Sequence, residues 1–418
     1  MAANHNHAKY QSRLDYIQQL LVDHFRLPSN DLQQIKITPI QYEPDCPFKY
    51  NNFVYHLVLP GDTLGGLVNA DGGHKLQQPG CVDIPAGTRE FILRLSNPDA
   101  EGMHQETRVQ NEVAIFALAA DALRHINPPV VPRVFGWGGA GLKHVGWILQ
   151  ELMPGIPIGE AFGGAMSLDQ KRGILAQMGG LLKALQDYPL PKSIHGFGGA
   201  TFDESGAPSG RLKVALTKAD KNPYLQGWHV NGIRERIDAF IEHGLPLLFS
   251  HFPTKQDKSV IHANFSRITA FLDYYFASIL HPAYEFFRSF GSNGGQFLGW
   301  SGDTTLQEIE AEALRNAKLT GQFPSPLPAP GVSDNGPGID WEVAQAWEDE
   351  LQKLDVKRPS TIRGIEKLAD IDEILGTLVP WRLSNEDFLS MNRDEDQRMA
   401  LRRMSEEKLV GLLDHLGF

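Results

Sequence analysis

The sequence predicts an α+β chain of two lobes: a small antiparallel-sheet lobe with one helix, then a larger, mainly helical lobe. Short runs rich in β-branched and aromatic residues crowd the first 152 residues, and one long helical pattern interrupts them. After Met153-Pro154-Gly155, by contrast, the apolar spacing turns helical almost throughout.

Taken in order, residues 10–26 place Tyr10, Leu14, Ile17, Leu20, Leu21 and Phe25 at helical spacing, which predicts an amphipathic opening helix. Residues 35–42 and 53–59 read as a hairpin, with turn formers between them at 43–52. The glycine-rich, weakly patterned stretch 61–87 predicts an exposed insertion before a third strand at 90–95. Residues 105–126 follow as a helix whose packing face is Val109, Val113, Phe116, Ala117, Ala120 and Leu123. Strands at 131–137 and 145–152 complete the first lobe, which extends over 1–152 with the insertion at about 61–88.

In the second lobe, 153–319, residues 168–186 form a helix begun by Ser167 as N-cap, and 232–249 form another. The Pro- and Gly-bearing stretch 188–230 between them predicts a long connection. Two short apolar runs, 258–263 and 268–272, read as strands. Residues 320–338 are a Pro/Gly-rich loop, and 339–418 are helices packed on the second lobe, with Leu401, Met404, Leu409, Leu412 and Leu413 as the packing stripe.

Composition narrows the function. The chain carries 39 Lys+Arg against 50 Asp+Glu, a formal net charge of −11, which disfavours nucleic acid and anionic membrane as partners. Cys46 and Cys81 have no metal-type spacing, the N-terminus lacks a signal-like segment, and no run has the roughly 20 apolar residues of a membrane span. The expectation is a cytoplasmic protein with a small-molecule ligand and room for a protein partner. His5 and His7 have no ligand partners for zinc, and no Gly-x-Ser-x-Gly elbow supports a nucleophilic serine.

Five local motifs occur in sequence: Phe91-Ile92-Leu93-Arg94-Leu95; Asn111-Glu112; Trp147 through Gln150-Glu151-Leu152-Met153-Pro154-Gly155; Ile261-His262-Ala263-Asn264-Phe265; and Phe271-Leu272-Asp273-Tyr274. In order and spacing they resemble the aminoglycoside phosphotransferase and choline kinase-like family, which has a protein-kinase-like fold. The stretch His281-Pro282-Ala283-Tyr284-Glu285-Phe286-Phe287 is similar to the fungal branch in particular.

The resemblance implies ATP and Mg2+ as cofactors and transfer of a phosphoryl group to a hydroxyl of a small molecule. It puts Arg94 where the family carries a strand lysine on the phosphates, although the residue also reads as a strand arginine extending its head to the surface. Glu112 would hold that cation as an ion pair; taken alone it reads as a solvated helix position. The phosphate-covering turn would be 48–55, including Asn52, and it contains no glycine; Asn51 and Asn52 also read as ordinary turn formers. Gln150, Glu151 and Met153 would form the hinge whose backbone meets the nucleobase, and Asp273 would be the magnesium ligand.

The catalytic loop departs from the pattern. In His262-Ala263-Asn264 an amide stands at the catalytic aspartate position, and an amide is no proton acceptor. Only eight residues separate Asn264 from Asp273, and Thr269 stands where a metal-ligating Asn would be expected. Tyr275 replaces a frequent second acid. The leading expectation is therefore a degenerate, pseudokinase-like member that binds nucleotide or a metabolite with little transfer. The alternatives are an active phosphotransferase and a non-enzymatic interaction protein.

Overall fold

The computed structural model describes residues 6–40, 46–60, 77–100, 104–141, 144–155, 162, 166–194, 198–200, 211–250, 259–261, 277–289, 294–300, 306–329, 332–333, 336–391 and 394–418. The chain divides into two compact units. The first comprises Met1–Ile156, Gly199–Gly206 and Thr269–Ser278, and the second the remainder.

The first unit contains α1 (Tyr10–Phe25), the single turn α2 (Ser29–Leu32), α3 (Arg108–Ala122) and five strands. These are β1 (Lys36–Pro39), β2 (Asn52–Val58), β3 (Glu90–Ser96), β4 (Val134–Gly138) and β5 (Trp147–Glu151), ordered β1-β2-β3-β5-β4 with every pairing antiparallel. Alternation along the strands sends Tyr55, Leu57, Phe91, Leu93, Leu95, Trp147 and Leu149 into one core. Ile17, Leu20, Leu21 and Phe25 of α1 close that core. The helix stops where Arg26 turns left-handed (φ 54°) and its N–H closes on the last turn.

Two expectations need correction here. On α3, Ala120 is exposed and Ala117 half-buried, while Ala114, Ile115 and Ala119 are buried. The helix is covered over a wider arc than one stripe, and small alanines carry too little hydrophobic contrast to mark its edges. Residues 77–84 of the expected exposed insertion keep Gln77, Pro79, Val82 and Asp83 exposed but are also docked, because the Val82 N–H donates to Val134 O at 2.8 Å and the Trp137 indole N–H to Pro79 O at 3.0 Å. They cover the outer edge of β4, which would otherwise offer unpaired backbone to another chain.

The second unit holds α4 (Leu168–Asp187), α5 (Arg211–Lys221), α6 (Ile233–Ala239), α7 (Leu245–Ser250), α8 (Ala283–Arg288), α9 (Leu306–Thr320), α10 (Trp341–Lys353), α11 (Ile365–Leu378), α12 (Trp381–Ser384), α13 (Glu386–Ser390) and α14 (Glu395–Leu416). Its strands are short: β6 (Ser259–Ile261) pairs with β7 (Ser278–Leu280), and β8 (Val332–Ser333) with β9 (Gly336–Pro337) inside the predicted 320–338 loop. The strand expected at 268–272 lies outside the described residues.

Ser167 caps α4 as expected. Its hydroxyl accepts the Gln170 N–H, and the Gln170 side chain accepts the Ser167 N–H, a reciprocal capping box. Ser167→Ala is expected to cost about 1 kcal/mol, measured as a lower urea midpoint at unchanged slope. Leu175, Met178 and Leu182 of α4 then pack on Trp347 and Leu351 of α10 in one core.

Three readings change in this unit. The stretch 188–230 contains α5, whose Leu216 and Ala219 join Trp228, Ile237 and Leu409 in a second core. The expected helix over 232–249 is present but widens into a π turn at Phe240–Gly244. The turn ends two residues before Pro246, which has no N–H for an α-helical bond to the fourth residue back. On α14, Leu409, Leu412 and Leu413 are fully buried and Leu401 packs half-buried on the same core, but Met404 is 64% exposed and drops out of the stripe. Among the described residues no helix is long and apolar enough to cross a membrane.

Candidate functional site

The chemistry-bearing residues of the first unit gather on the sheet face opposite the α1 core. Alternation turns Ile92 and Arg94 of β3 away from Leu93 and Leu95, and Arg94 lies between Val54 of β2 and Ile148 of β5. Arg94 is 6% exposed and Glu112 of α3 is 3% exposed, with Arg94 Nη1 donating to Glu112 Oε1. Burial excludes both the arginine that reaches the surface and the solvated glutamate. Val109, Val113 and Phe116 anchor α3, and Glu112 rides between them toward β3.

At the end of β2 nearest this pair, residues 48–52 are held by side chains from distant parts of the unit. Asn6 Nδ2 donates to Phe48 O at 2.7 Å, and the Tyr50 N–H donates to Asn6 Oδ1 at 2.8 Å. Asn97 Nδ2 donates to Tyr50 O at 2.6 Å. Arg108, in the first turn of α3, donates at 2.8 Å to both Asn51 O and the side-chain oxygen of Asn52. Asn52 is thus part of a polar network, at 8% exposure, and not a solvated turn former. Sequence reading missed Asn6, Asn97 and Arg108, for which no periodic or motif signal exists.

The β5 end is more committed than a free hinge. Gln150 has strand partners on both sides, Ile92 and Val134, so its backbone belongs to the ladder. Its side chain is 3% exposed and, among the described residues, its Oε1 has no hydrogen-bond partner. The Glu151 N–H donates to Arg133 O, and its carboxylate accepts from Arg133 Nε at 3.0 Å and Nη2 at 2.6 Å. That hydrogen bond raises the Arg133 pKa. Met153, 8% exposed, lies beyond the strand.

Asn111, beside Glu112 in its motif, has a role the sequence did not assign. Its side chain accepts the Ala200 N–H at 2.7 Å and donates to Ala277 O at 3.2 Å, tying α3 to the backbone just after the Asp273 segment. His262, Asn264, Thr269, Asp273 and Tyr275 themselves lie outside the described residues. Among the described residues no group of three or more His, Cys, Asp or Glu side chains is placed to hold a metal ion.

An antiparallel sheet that buries a strand arginine against a helix glutamate, followed by a helical unit, defines an α+β, kinase-like class of protein. The chain belongs to the phosphotransferase enzyme family, whose model matches residues 83–325, more than half its length. Solved structures similar to it are aminoglycoside phosphotransferases. The streptomycin-ATP-APH(2")-IIa ternary complex aligns with 9% identity and a TM-score of 0.46 over 95% of each chain. The GDP complex of wild-type aminoglycoside 2'-phosphotransferase-IIIa aligns with 12% identity and a TM-score of 0.40 over 96% of this chain and 99% of that one. ADP-bound APH(2'')-Ib aligns with 10% identity and a TM-score of 0.39 over 90% and 92%. No curated protein matches the chain significantly.

Proposed function

We propose that the chain is a nucleotide-binding member of this family in which phosphoryl transfer to a small-molecule hydroxyl is lost or strongly reduced. The buried Arg94–Glu112 pair carries the binding half of the reading. A buried ion pair often adds no more stability than apolar side chains of similar volume, so stability alone is a weak account of it. A guanidinium has five N–H donors in a fork suited to phosphate oxygens, and a carboxylate on one of its nitrogens fixes its direction. Gln150, Glu151 and Met153 would border the nucleobase, and Asp273 would hold Mg2+, which supplies charge neutralisation on the phosphates. ATP, ADP and GDP in the similar structures make a purine nucleotide the natural first ligand.

The weakened-transfer half rests on the loop chemistry. Asn264 cannot accept a hydroxyl proton, and Thr269 and Tyr275 remove further metal or acid groups. Each lost contribution of this kind is typically worth about two to four orders of magnitude in rate.

The experiment is a thermal-shift titration with magnesium and ATP or GTP, run beside an assay with labelled nucleotide and a panel of hydroxyl compounds. Expected is a rise in apparent stability, about 2.7 kcal/mol at a ligand concentration a hundredfold above Kd, without turnover at ordinary kinase rates. Ordinary turnover, abolished by Asp273→Ala, overturns the degenerate reading in favour of an active phosphotransferase. No shift with any nucleotide removes the binding reading and leaves a protein-docking role.

A further inference from the structure

Close approach of backbone to phosphate ordinarily calls for glycine, and the turn that leads into β2 has none: Phe48-Lys49-Tyr50-Asn51-Asn52. Its shape is instead imposed from outside. The carbonyls of Phe48, Tyr50 and Asn51 accept hydrogen bonds from Asn6, Asn97 and Arg108. Lone pairs that would repel an anion are thereby turned into the protein. Asn6 is itself held, because Arg13 of α1 donates to Asn6 O at 2.8 Å and to the Tyr55 hydroxyl at 2.8 Å. The Arg13 guanidinium also lies over the Phe53 ring at 3.9 Å. Asn52 pairs with Ser96, two residues along β3 from Arg94, so the clamp sits at the same end of the strand as the buried cation.

We propose that Asn6 and Arg108 are positioning residues that hold the 48–52 turn rigid for a phosphate-bearing ligand, making phosphate affinity depend on the segment that enters α1. This rests on the nucleotide reading above. The clamp replaces glycine's freedom with a turn already in one shape, so binding does not have to order it. Asn6 is 2% exposed and makes both a donor and an acceptor contact, so alanine removes two hydrogen bonds to the turn at once.

The test compares wild type with Asn6→Ala in two measurements. The first is amide hydrogen exchange over 48–52, which is expected to accelerate in the variant. The second is affinity for ATP or GTP with magnesium, whichever shifts wild type more, against its own nucleoside. Nucleotide affinity is expected to fall about tenfold while nucleoside affinity is unchanged. Equal weakening of nucleotide and nucleoside, or unchanged exchange in the turn, overturns the inference. If Asn6→Ala fails to fold, Asn6→Asp carries the test, since it keeps the acceptor for Tyr50 N–H and loses the donor to Phe48 O. Wild type that binds neither nucleotide nor nucleoside removes the nucleotide reading itself, and this inference with it.

Discussion

Glu112→Ala is expected to lower the unfolding free energy by about 3–5 kcal/mol, because it removes a carboxylate hydrogen-bonded to a buried guanidinium. The double variant Arg94→Met, Glu112→Leu should recover most of that loss, since two apolar side chains can fill the site without a desolvated charge. Urea unfolding of the single and double variants measures both. The nucleotide-dependent thermal shift should be absent from both variants, so stability and binding separate in the double. A single variant as stable as wild type would show that the pair is not buried as described. A double variant that still shifts with nucleotide would remove Arg94 from the phosphate site.

Lys318 is the other large expected effect. Its ammonium lies inside the second unit at 2% exposure, donating to Gly295 O at 2.5 Å. Burial pushes its pKa down to about 7, opposed by attraction to Glu348. The folded value is therefore depressed below that of the unfolded chain, which binds the extra proton between about pH 7 and 10. Stability should rise with pH across that window, and the penalty is fully present below pH 7. Lys318→Met removes the titrating group and keeps a comparable volume. It is expected to unfold at higher temperature than wild type at pH 7, by an amount equivalent to about 2–4 kcal/mol after loss of the Gly295 hydrogen bond. The advantage should shrink toward pH 10. Thermal unfolding of both proteins from pH 6 to 10 measures it, and a constant difference would refute a buried, depressed lysine.

How far the chain can be read without coordinates depends on the range of the interaction. α1, β2, β3 and β5 lie where alternation or helical spacing puts them, because each pattern is confined to one element. α5 was not legible: its mean hydropathy is low and its lysines hide an apolar edge of Leu216 and Ala219 among Pro- and Gly-rich neighbours. Met404 shows the converse, an apolar residue near the right spacing whose own side chain faces away from the core that its neighbour Leu401 meets. At the candidate site, Arg94 and Glu112 are found only through motif spacing, since eighteen residues separate them. The turn clamp lies further apart still, with 42 residues between Asn6 and Phe48 and 57 between Arg108 and Asn51. Asparagine and arginine at such separations carry no periodic signal.

By itself the sequence determined the α+β class, the order of the first-unit elements and the amide at position 264 where a base is expected. Backbone geometry repeats every two or 3.6 residues, so local order is written in local spacing, and a side chain's acid–base chemistry is written in its identity. Tertiary structure alone decided that Arg94 and Glu112 neutralise each other out of water, that Gln150 is enclosed in the sheet, and that a turn without glycine is held by Asn6, Asn97 and Arg108. Those outcomes depend on which remote groups share a desolvated space, which is fixed only once the chain has closed.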